Sequence, residues 1–342
     1  MKTVDFLYPS GWAASRNPLA VGLNQQTRDW ALEMGLFLPQ DSALKAMHDA
    51  FDTEEFAAWL YPFTRNVEFL RFVSDFTLWI TVLDDELEKT SPPMSAQARA
   101  ELIHGWKLMI EGQHASGKSR YCAAFRDLTS RVQSFAGEQH GPQLAARFIS
   151  LLEQMLAVVV GDEPQGSLSW QDRRFYEAVR CMSSQVLWYV LFVEIAEECY
   201  LPEAVTADPR VQRLAVATTL IFGLINDVFS VSKEETGRPV LNTVLMHMHH
   251  ERCSQAEAIA AIAGWHNALV VEHMQVARAA AGSFGAFDRH FERFVRGIQN
   301  LNRGLVEWML CSRRYTLPTS CEVRIVSELG QTHQAGQPLQ NS

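Results

Sequence analysis

Apolar residues in this chain recur mostly at intervals of three and four, and this spacing constrains the fold more than any other feature of the sequence. Such spacing places apolar side chains on one face of an α-helix, whereas alternating strand-like runs bounded by turns are scarce. The sequence therefore predicts a nearly all-α protein. The predicted helices, with ends placed to within several residues, cover 24–35, 41–50, 54–60, 64–87, 95–111, 119–136, 142–160, 169–198, 208–233, 238–248, 254–281 and 285–313.

Helix-breaking residues fall between these segments. They are Ser91-Pro92-Pro93, the stretch 137–142, the stretch 161–164, Leu201-Pro202 and Gly237-Arg238-Pro239. No long linker, shift in composition or internal repeat divides the chain, so we predict one domain over residues 1–327. Residues 328–342 are polar and nonperiodic, which is typical of a disordered tail.

The composition is that of a globular protein with a sizeable core, since 47% of the residues are hydrophobic and 20% are charged. A net charge of −9 and the lack of a basic run argue against a nucleic-acid partner. The six cysteines form no CxxC pair, which favours reduced thiols. No signal peptide or membrane span is predicted, because no apolar segment approaches about 18 residues. We therefore expect a cytoplasmic protein with no membrane partner.

One predicted helix ends in a cluster of carboxylates. An apolar run leads into the stretch DDELE, which begins at Asp84. Asp84 and Glu88 are four residues apart and so share one helical face, with Thr81 on the turn before them. Mg²⁺ is held by one or two such carboxylates while water and substrate phosphates complete its coordination. Taken alone, however, the stretch favours a simpler interpretation, a helix end that reaches solvent.

A second stretch, LIFGLINDVFSVSKE, carries oxygen atoms along an apolar helix. Asn226, Ser230 and Glu234 fall at i, i+4 and i+8, so an amide, a hydroxyl and a carboxylate share one face. All three are hard oxygen ligands. Lys233 lies beside Glu234, where it can meet an anion held by metals. An N-cap asparagine followed by a surface serine and glutamate is the alternative, but it does not explain why the polar face emerges from an apolar helix.

Together, the two stretches resemble the metal-binding motifs of class I terpene synthases. DDELE at 84–88 is similar to the DDxx(D/E) motif of that family, and NDVFSVSKE at 226–234 is similar to its NDxxSxxxE motif. The resemblance covers roughly residues 18–316. It implies a single-domain α-helical bundle around an apolar active-site cavity, three Mg²⁺ ions as cofactor, a linear isoprenyl diphosphate as substrate, and a homodimer.

The resemblance also assigns the metal ligands. They are Asp84, Asn226, Ser230 and Glu234, with Glu88 as a further candidate. Glu88 stands in the place of the aspartate that ends many such motifs, and Lys89 follows it. The sequence therefore leaves open whether Glu88 or no second acid joins Asp84.

Diphosphate binding is assigned to cationic and hydroxyl groups. Arg180 precedes Asn226 at the spacing at which microbial members carry a diphosphate-sensing arginine, and Arg314-Tyr315 resembles the C-terminal Arg-Tyr pair of the family. Lys233 completes this set, and Asp85 is expected to join the same network as a hydrogen-bond partner of Arg314. Cationic side chains and metal ions neutralise the charge that develops on the departing diphosphate.

An apolar cavity must then protect the carbocation from water, and aromatic faces stabilise it. The resemblance places a cavity aromatic at Trp308 and a helix break at Ser183 and Ser184. The full predicted lining is Thr81, Ser183, Ser184, Trp188, Phe222 and Trp308. Because the chain has nine Trp and nineteen Phe, ordinary core packing is the alternative for any one of these aromatic residues.

These residues predict a Mg²⁺-dependent terpene synthase that ionises an isoprenyl diphosphate, with farnesyl diphosphate favoured, and cyclises or hydrates the carbocation. A monoterpene or diterpene synthase acting on geranyl or geranylgeranyl diphosphate is the alternative within the class. A prenyl-chain-elongating enzyme would carry a second aspartate-rich motif where this chain has NDVFSVSKE. A helical binding module without catalysis would need neither oxygen cluster.

Two further patterns compete with this prediction. Residues 112–119, GQHASGKS, match the Walker A pattern, but the preceding ELIHGWKLMIE has helical spacing rather than that of a buried strand. We interpret the stretch as an interhelical loop and keep P-loop-type nucleotide binding as a remote alternative. His247, His249 and His250 invite a transition-metal site, but only the first and last share a helical face. A polar helix end is the preferred interpretation.

Overall fold

The computed structural model describes residues 2–12, 14–36, 42–88, 120–159, 173–234, 242–315 and 318–328, together with 97, 100–101, 104–106 and 108. Its α-helices are α1 (Leu23–Glu33), α2 (Ser42–Phe51), α3 (Thr53–Leu60), α4 (Val67–Glu88), α5 (Arg120–Phe135), α6 (Gly137–Val159), α7 (Arg173–Ser183), α8 (Val186–Ala196), α9 (Glu203–Thr206), α10 (Pro209–Glu234), α11 (Thr243–Glu251), α12 (Gln255–Ala280) and α13 (Asp288–Cys311). The prediction of a nearly all-α domain is confirmed.

Helical spacing predicted one helix over 169–198, and in this respect it was wrong, because the structure has two helices, α7 and α8. The break between them lies where the resemblance implied it, since α7 ends at Ser183. Gln185 lies between them with φ of 57°, in the left-handed region that an α-helix cannot continue through. The chain therefore turns between the two helices. A smaller correction concerns α6, which begins at Gly137 and contains Pro142, where the sequence predicted a break.

Helix α10 is the centre of the bundle, since it packs against α7, α8, α11, α12 and α13. Its segment Pro209–Ser232 is long and apolar enough to cross a membrane, but 83% of its most apolar window is buried inside the protein. Residues such as Leu220, Leu224 and Val228 are completely buried there. Each contributes about 1.5–3 kcal/mol to folding. Helix α10 is therefore a core helix, and the polar face near its C-terminus is held in a rigid position.

A two-stranded parallel sheet, which the sequence did not predict, joins the two ends of the described chain. Strand β1 (Lys2–Leu7) pairs with strand β2 (Cys321–Val326) in the register Lys2 to Cys321. Such a pair is marginal alone, and here it packs on α12. The Asn267 side chain donates to the Asp5 carbonyl at 2.9 Å and accepts from the Leu7 amide at 2.7 Å. The segment that follows α13 is thereby anchored to the bundle.

Candidate active site

The three predicted ligands of α10 lie on successive turns near the end of the helix. Ser230 is buried and Glu234 is half-buried. Both lie close to one nitrogen atom, the Nδ2 of Asn242, which is 2.7 Å from Glu234 Oε2 and 3.4 Å from Ser230 Oγ. Burial raises the pKa of the Glu234 carboxyl, and the hydrogen bond from Asn242 opposes this shift. The structure therefore brings the predicted hydroxyl and carboxylate together at one point.

Asn226, the first residue of this face, contacts the segment beyond α13. Its Nδ2 donates to the Tyr315 hydroxyl at 2.9 Å, across 89 positions of sequence. Because the two atoms of an amide point apart, the Asn226 oxygen points away from Tyr315. A predicted metal ligand and a predicted diphosphate ligand thus lie side by side, although they are far apart in the chain.

Half-buried Arg180 reaches from α7 to α10 and forms an ion pair with the buried side chain of Asp227. Its Nη2 lies 2.5 Å from Asp227 Oδ1 and 3.4 Å from the Gly223 carbonyl. A Cβ at Gly223 would stand 2.8 Å from Arg180 Nε, so a side chain there would displace the guanidinium. The Asp227 carboxylate also accepts hydrogen bonds from the Thr243 amide and hydroxyl at 2.9 and 2.8 Å, and from the Tyr176 hydroxyl at 3.2 Å. Sequence analysis placed Arg180 at the site but did not find its partner.

The electrostatic surroundings keep Arg180 charged. Burial alone would lower the pKa of this guanidinium, but the neighbouring carboxylates outweigh it and raise the pKa well above its usual value. Asp227 is the strongest of these, and Glu234 and Asp84 act in the same direction. Carboxylates of both predicted ligand stretches, Asp84 on α4 and Glu234 on α10, therefore act on a single guanidinium.

Asp84 lies near the C-terminus of α4, opposite the turn between α7 and α8. Gln185 Nε2 donates to Asp84 Oδ1 at 3.3 Å. The preceding residue, Ser184, directly follows α7, and its amide donates to the Arg180 carbonyl at 3.0 Å. The break between α7 and α8 therefore lies beside both Arg180 and Asp84, the first acid of the aspartate-rich motif.

Four of the predicted side chains, those of Asp85, Glu88, Ser183 and Lys233, lie outside the part of the chain whose side chains are described. The Walker-type residues 112–119 and the tail beyond Glu328 also lie outside it.

A row of aromatic rings runs from Tyr315 into the core. We call the five residues Tyr315, Trp308, Phe56, Tyr189 and Phe222 the aromatic wall. Successive ring centroids lie 5.4, 4.8, 5.2 and 6.4 Å apart, and the last pair is stacked. Trp308 and Phe222 were predicted, whereas Phe56 and Tyr189 were not. The wall begins at the polar cluster because the Tyr315 hydroxyl is bonded to Asn226.

The Tyr189 hydroxyl connects this wall to α4. Thr77 Oγ1 donates to the Val73 carbonyl at 2.7 Å, so its proton is already used. The Tyr189 hydroxyl, 3.1 Å from Thr77 Oγ1, is therefore the donor in that pair. One turn further along α4, Thr81 Oγ1 donates to the Thr77 carbonyl at 2.8 Å. The predicted residue Thr81 thus lies between the aromatic wall and Asp84.

Trp188 packs against α6 rather than joining the aromatic wall. Its indole N–H donates to the Phe148 carbonyl at 3.0 Å, and its ring lies 5.5 Å from Phe76. It also lines a separate small niche, with room for about one water molecule, together with Gln185 and Met182. These are the contacts of a core residue that joins two helices.

Arg314 lies beside the end of the aromatic wall that contains Tyr315 and Trp308. Its guanidinium is 5.2 Å from the centre of the Phe51 ring, which is itself 4.8 Å from the ring of Trp308. The backbone amide of Arg314 bonds to Ser312 Oγ at 3.2 Å, so the turn after α13 is locally ordered. The predicted Arg-Tyr pair therefore lies at the polar end of the aromatic wall.

The donor chemistry of this site fits a hard cation. Among the described residues, no group of three His, Cys, Asp or Glu side chains is arranged to hold a metal ion. The predicted set on α10 is of a different kind, because it combines an amide oxygen, a hydroxyl and a carboxylate. Such oxygen donors suit Mg²⁺ rather than a soft transition metal.

The structure brings the predicted oxygen ligands, Arg180 and the aromatic wall together in one helical bundle, as the resemblance to class I terpene synthases implies. The model of terpene synthase family 2, C-terminal metal binding, matches residues 75–272, and the chain belongs to this family. The resemblance drawn from the two motifs is thus confirmed.

Curated relatives cover almost the whole chain. The 10-epi-cubebol synthase of Sorangium cellulosum is 27% identical over 312 residues, which are 90% of this chain and 96% of the relative. The (+)-T-muurolol synthase of Roseiflexus castenholzii, named as cyclising (2E,6E)-farnesyl diphosphate, is 25% identical over 332 residues, or 95% and 97% of the two chains.

Solved structures share the fold. Germacradien-4-ol synthase from Streptomyces citricolor superposes with a TM-score of 0.70 at 19% identity, covering 87% of this chain and 96% of that one. Hedycaryol synthase in complex with HEPES superposes with a TM-score of 0.73 at 18% identity, covering 89% and 97%. At these identities the likeness shows the fold alone.

Proposed function

We propose that this protein is a Mg²⁺-dependent sesquiterpene synthase, which ionises farnesyl diphosphate and cyclises or hydrates the carbocation. One observation carries the proposal: the hydrogen bond from Asn226 to Tyr315 joins the ligand face of α10 to the start of the aromatic wall. A site that releases diphosphate needs a charged end beside an apolar end, and these two residues lie where the ends meet. The (+)-T-muurolol synthase named above supports farnesyl diphosphate as the substrate.

Metal binding is proposed for residues on two helices. Asn226, Ser230 and Glu234 would hold part of a three-ion cluster from α10, and Asp84 would hold the rest from α4, with Glu88 as a further candidate. When bound, Mg²⁺ supplies Lewis-acid neutralisation of the diphosphate oxygens. Because Ser230 and Glu234 are held together in the folded protein, little reorganisation is needed on this face when metal binds.

The cationic side chains would bind and orient the diphosphate. Arg180 offers charge-assisted hydrogen bonds from a planar guanidinium, and its pairing with Asp227 fixes where that group points. Tyr315 and Arg314 would add donors from the segment after α13, and Lys233 from the end of α10. Asp85 is the proposed hydrogen-bond partner of Arg314. No nucleophile on the protein is needed, because the C–O bond breaks by ionisation.

The aromatic wall would exclude water from the carbocation and stabilise its charge. A cation over an aromatic face gains about 0.5–2 kcal/mol per ring. Tyr189 and Phe222 present stacked faces 6.4 Å apart between centroids. The half of the site away from the diphosphate is therefore apolar, and the hydrocarbon chain is proposed to lie against it.

We further propose a cytoplasmic homodimer. All six cysteines are free thiols in the structure, as expected for a reducing compartment. The dimer rests on the family resemblance and is tested by light scattering of the purified protein.

Substrate and metal are tested together in one experiment. Purified protein is incubated separately with geranyl, farnesyl and geranylgeranyl diphosphate, with Mg²⁺ or with EDTA, and the organic extract is analysed by gas chromatography and mass spectrometry. We expect a sesquiterpene from farnesyl diphosphate with Mg²⁺ and none with EDTA. Product from another chain length alone would replace the substrate. No product from any of the three, in a folded protein, would overturn the proposal, and ATP binding would then test the P-loop alternative.

A further inference from the structure

We propose that Asn242 is a positioning residue, which holds Ser230 and Glu234 in the arrangement that binds metal. This inference rests on the proposed function, because it assigns those two side chains to the metal site. Asn242 is completely buried and immediately precedes α11. It is not among the site residues predicted from the sequence.

The orientation of the Asn242 amide is determined by both of its ends. Its Oδ1 accepts from the amides of Val244 and Leu245 at 2.9 and 3.2 Å, which caps the N-terminus of α11. A flipped amide would place its NH₂ against those two donors. The NH₂ group must therefore face α10.

On that side, Nδ2 meets three acceptors of α10. It lies 2.9 Å from the Asp227 carbonyl, 2.7 Å from Glu234 Oε2 and 3.4 Å from Ser230 Oγ. An NH₂ group has two hydrogens, so the two short contacts use them and Ser230 is held as a close neighbour. The hydroxyl of Ser230 is in turn bonded to the Glu234 carboxylate. One side chain thereby connects the backbone of α10 to both ligands.

Helix capping by itself does not require this amide. Ser, Asp and Thr cap helices about as well as Asn does, and none of them carries an NH₂ donor. Glu234 is the last residue of α10, where the helix dipole repels a carboxylate. A donor at this point therefore keeps Glu234 folded back against Ser230, and the NH₂ group of Asn242 supplies it.

The test separates capping from ligand positioning. Asn242→Ser keeps a capping oxygen but is too short to reach Glu234, and Asn242→Thr is a second such variant if the first cannot be purified. Ser254→Ala is the matched control, because it removes the exposed N-cap of the next helix, α12, where Ser254 accepts from the Glu257 amide. The control has the energetic cost of a lost cap, about 1 kcal/mol, without a change at α10.

Binding of Mg²⁺ with inorganic pyrophosphate is measured by calorimetry, and the Mg²⁺ dependence of turnover is measured in parallel. We expect Asn242→Ser to raise the Mg²⁺ concentration for half-maximal binding by about 10–100-fold, the usual effect of losing a group that orients a metal ligand. Ser254→Ala should bind Mg²⁺ as the unmodified protein does.

Two outcomes would count against these proposals, and they are distinguishable. Unchanged Mg²⁺ dependence in folded Asn242→Ser or Asn242→Thr would overturn the role of Asn242 alone. If the unmodified protein binds no Mg²⁺ with pyrophosphate and turns over no isoprenyl diphosphate, the proposed function itself fails.

Discussion

Two buried aspartates, Asp75 on α4 and Asp227 on α10, have similar surroundings but different neighbours. Each is almost completely buried and pairs with an arginine of another helix, Arg131 at 2.7 Å and Arg180 at 2.5 Å. Each also accepts a hydroxyl hydrogen bond, which for Asp75 comes from Thr27 at 2.7 Å. Judged by burial and pairing alone, the two sites are of the same kind.

Their neighbours show the difference. The partners of Asp75 come from α1 and α5 and join those helices to α4, with further hydroxyl contacts from Ser74 to Thr27 and Thr53. Asp227, in contrast, adjoins Asn226 in the chain and is paired with an arginine that also feels the charge of Glu234. A buried Arg–Asp pair is therefore compatible with either a scaffold or a site. The side chains around the pair decide which it is.

The largest effect is expected from removing a ligand beside the second pair. Asn226→Ala should lower turnover by more than about 100-fold, which exceeds the usual cost of losing a group that only orients a ligand, while the far-UV circular dichroism stays unchanged. Serial dilution of Mg²⁺ in the product assay checks this. Full activity at saturating Mg²⁺ would remove Asn226 from the ligand set.

The two arginines give the sharpest version of the comparison. Arg180→Lys should lower kcat/KM by about 10–100-fold. The planar guanidinium of arginine has enough donors to pair with Asp227 and bind diphosphate at the same time, whereas the lysine ammonium lacks this geometry. Arg131→Lys, the matched control at Asp75, should lower the unfolding midpoint but leave kcat of the folded enzyme unchanged. Equal losses of kcat in both variants would show that the two pairs are not functionally different.

The two aspartates themselves should differ in the same way. Asp75→Ala and Asp227→Ala should each destabilise the fold by up to about 3–5 kcal/mol, since each breaks an ion pair to a buried carboxylate. The loss at Asp75 should be the smaller one, because Arg131 keeps a second partner, Asp127, at 3.5 Å. Only Asp227→Ala should also lower turnover per folded molecule, because Arg180 is then free to leave the site. Urea unfolding combined with activity at low temperature separates the two contributions.

A smaller effect is expected in the aromatic wall. Tyr189→Phe keeps the ring but loses the hydroxyl that donates to Thr77. We expect total turnover to change by less than about tenfold, since the aromatic face that stabilises the cation is kept. The ratio of products should change because the ring is no longer held from α4. Chromatography of the product mixture tests this, and an unchanged ratio would argue that the wall does not contact the substrate.

The smallest effect concerns stability at acidic pH, away from both aspartates. Burial lowers the pKa of His266 and of His273 to about 4. Between pH 6.5 and 4 the unfolded chain therefore binds protons that the folded protein does not, so stability falls as pH decreases across this window. His273→Phe should flatten this slope by up to about 1.4 kcal/mol per pH unit. Urea unfolding at several pH values measures it, and an unchanged slope would contradict the assignment.

Several parts of the site could be predicted because they depend on local spacing. A period of 3.6 residues is enough to place Asn226, Ser230 and Glu234 on one face of a helix, and the structure has them there. The same spacing predicted α10 to within one residue at each end. The role of Arg180 came from the resemblance, since nothing in its local sequence distinguishes it from other arginines.

Other parts depend on contacts between distant segments. Asn242 resembles an ordinary helix cap in the sequence, and its contact with Glu234 exists because α11 packs back onto α10. Tyr189 lies in an apolar run where each residue looks like core, and only the packing of α8 against α3 and α10 places its ring beside Phe56 and Phe222.

The sequence by itself determined the helical class, the ligand face of α10 and, through its motifs, the family. The tertiary structure decided the pairing of β1 with β2 and the partner of Arg180. The physical reason is the range of the interactions. Helical periodicity and motif spacing are set within a few turns of chain, whereas Asp227 meets Arg180 across 47 positions and Asn226 meets Tyr315 across 89. Such contacts form only when separate helices pack.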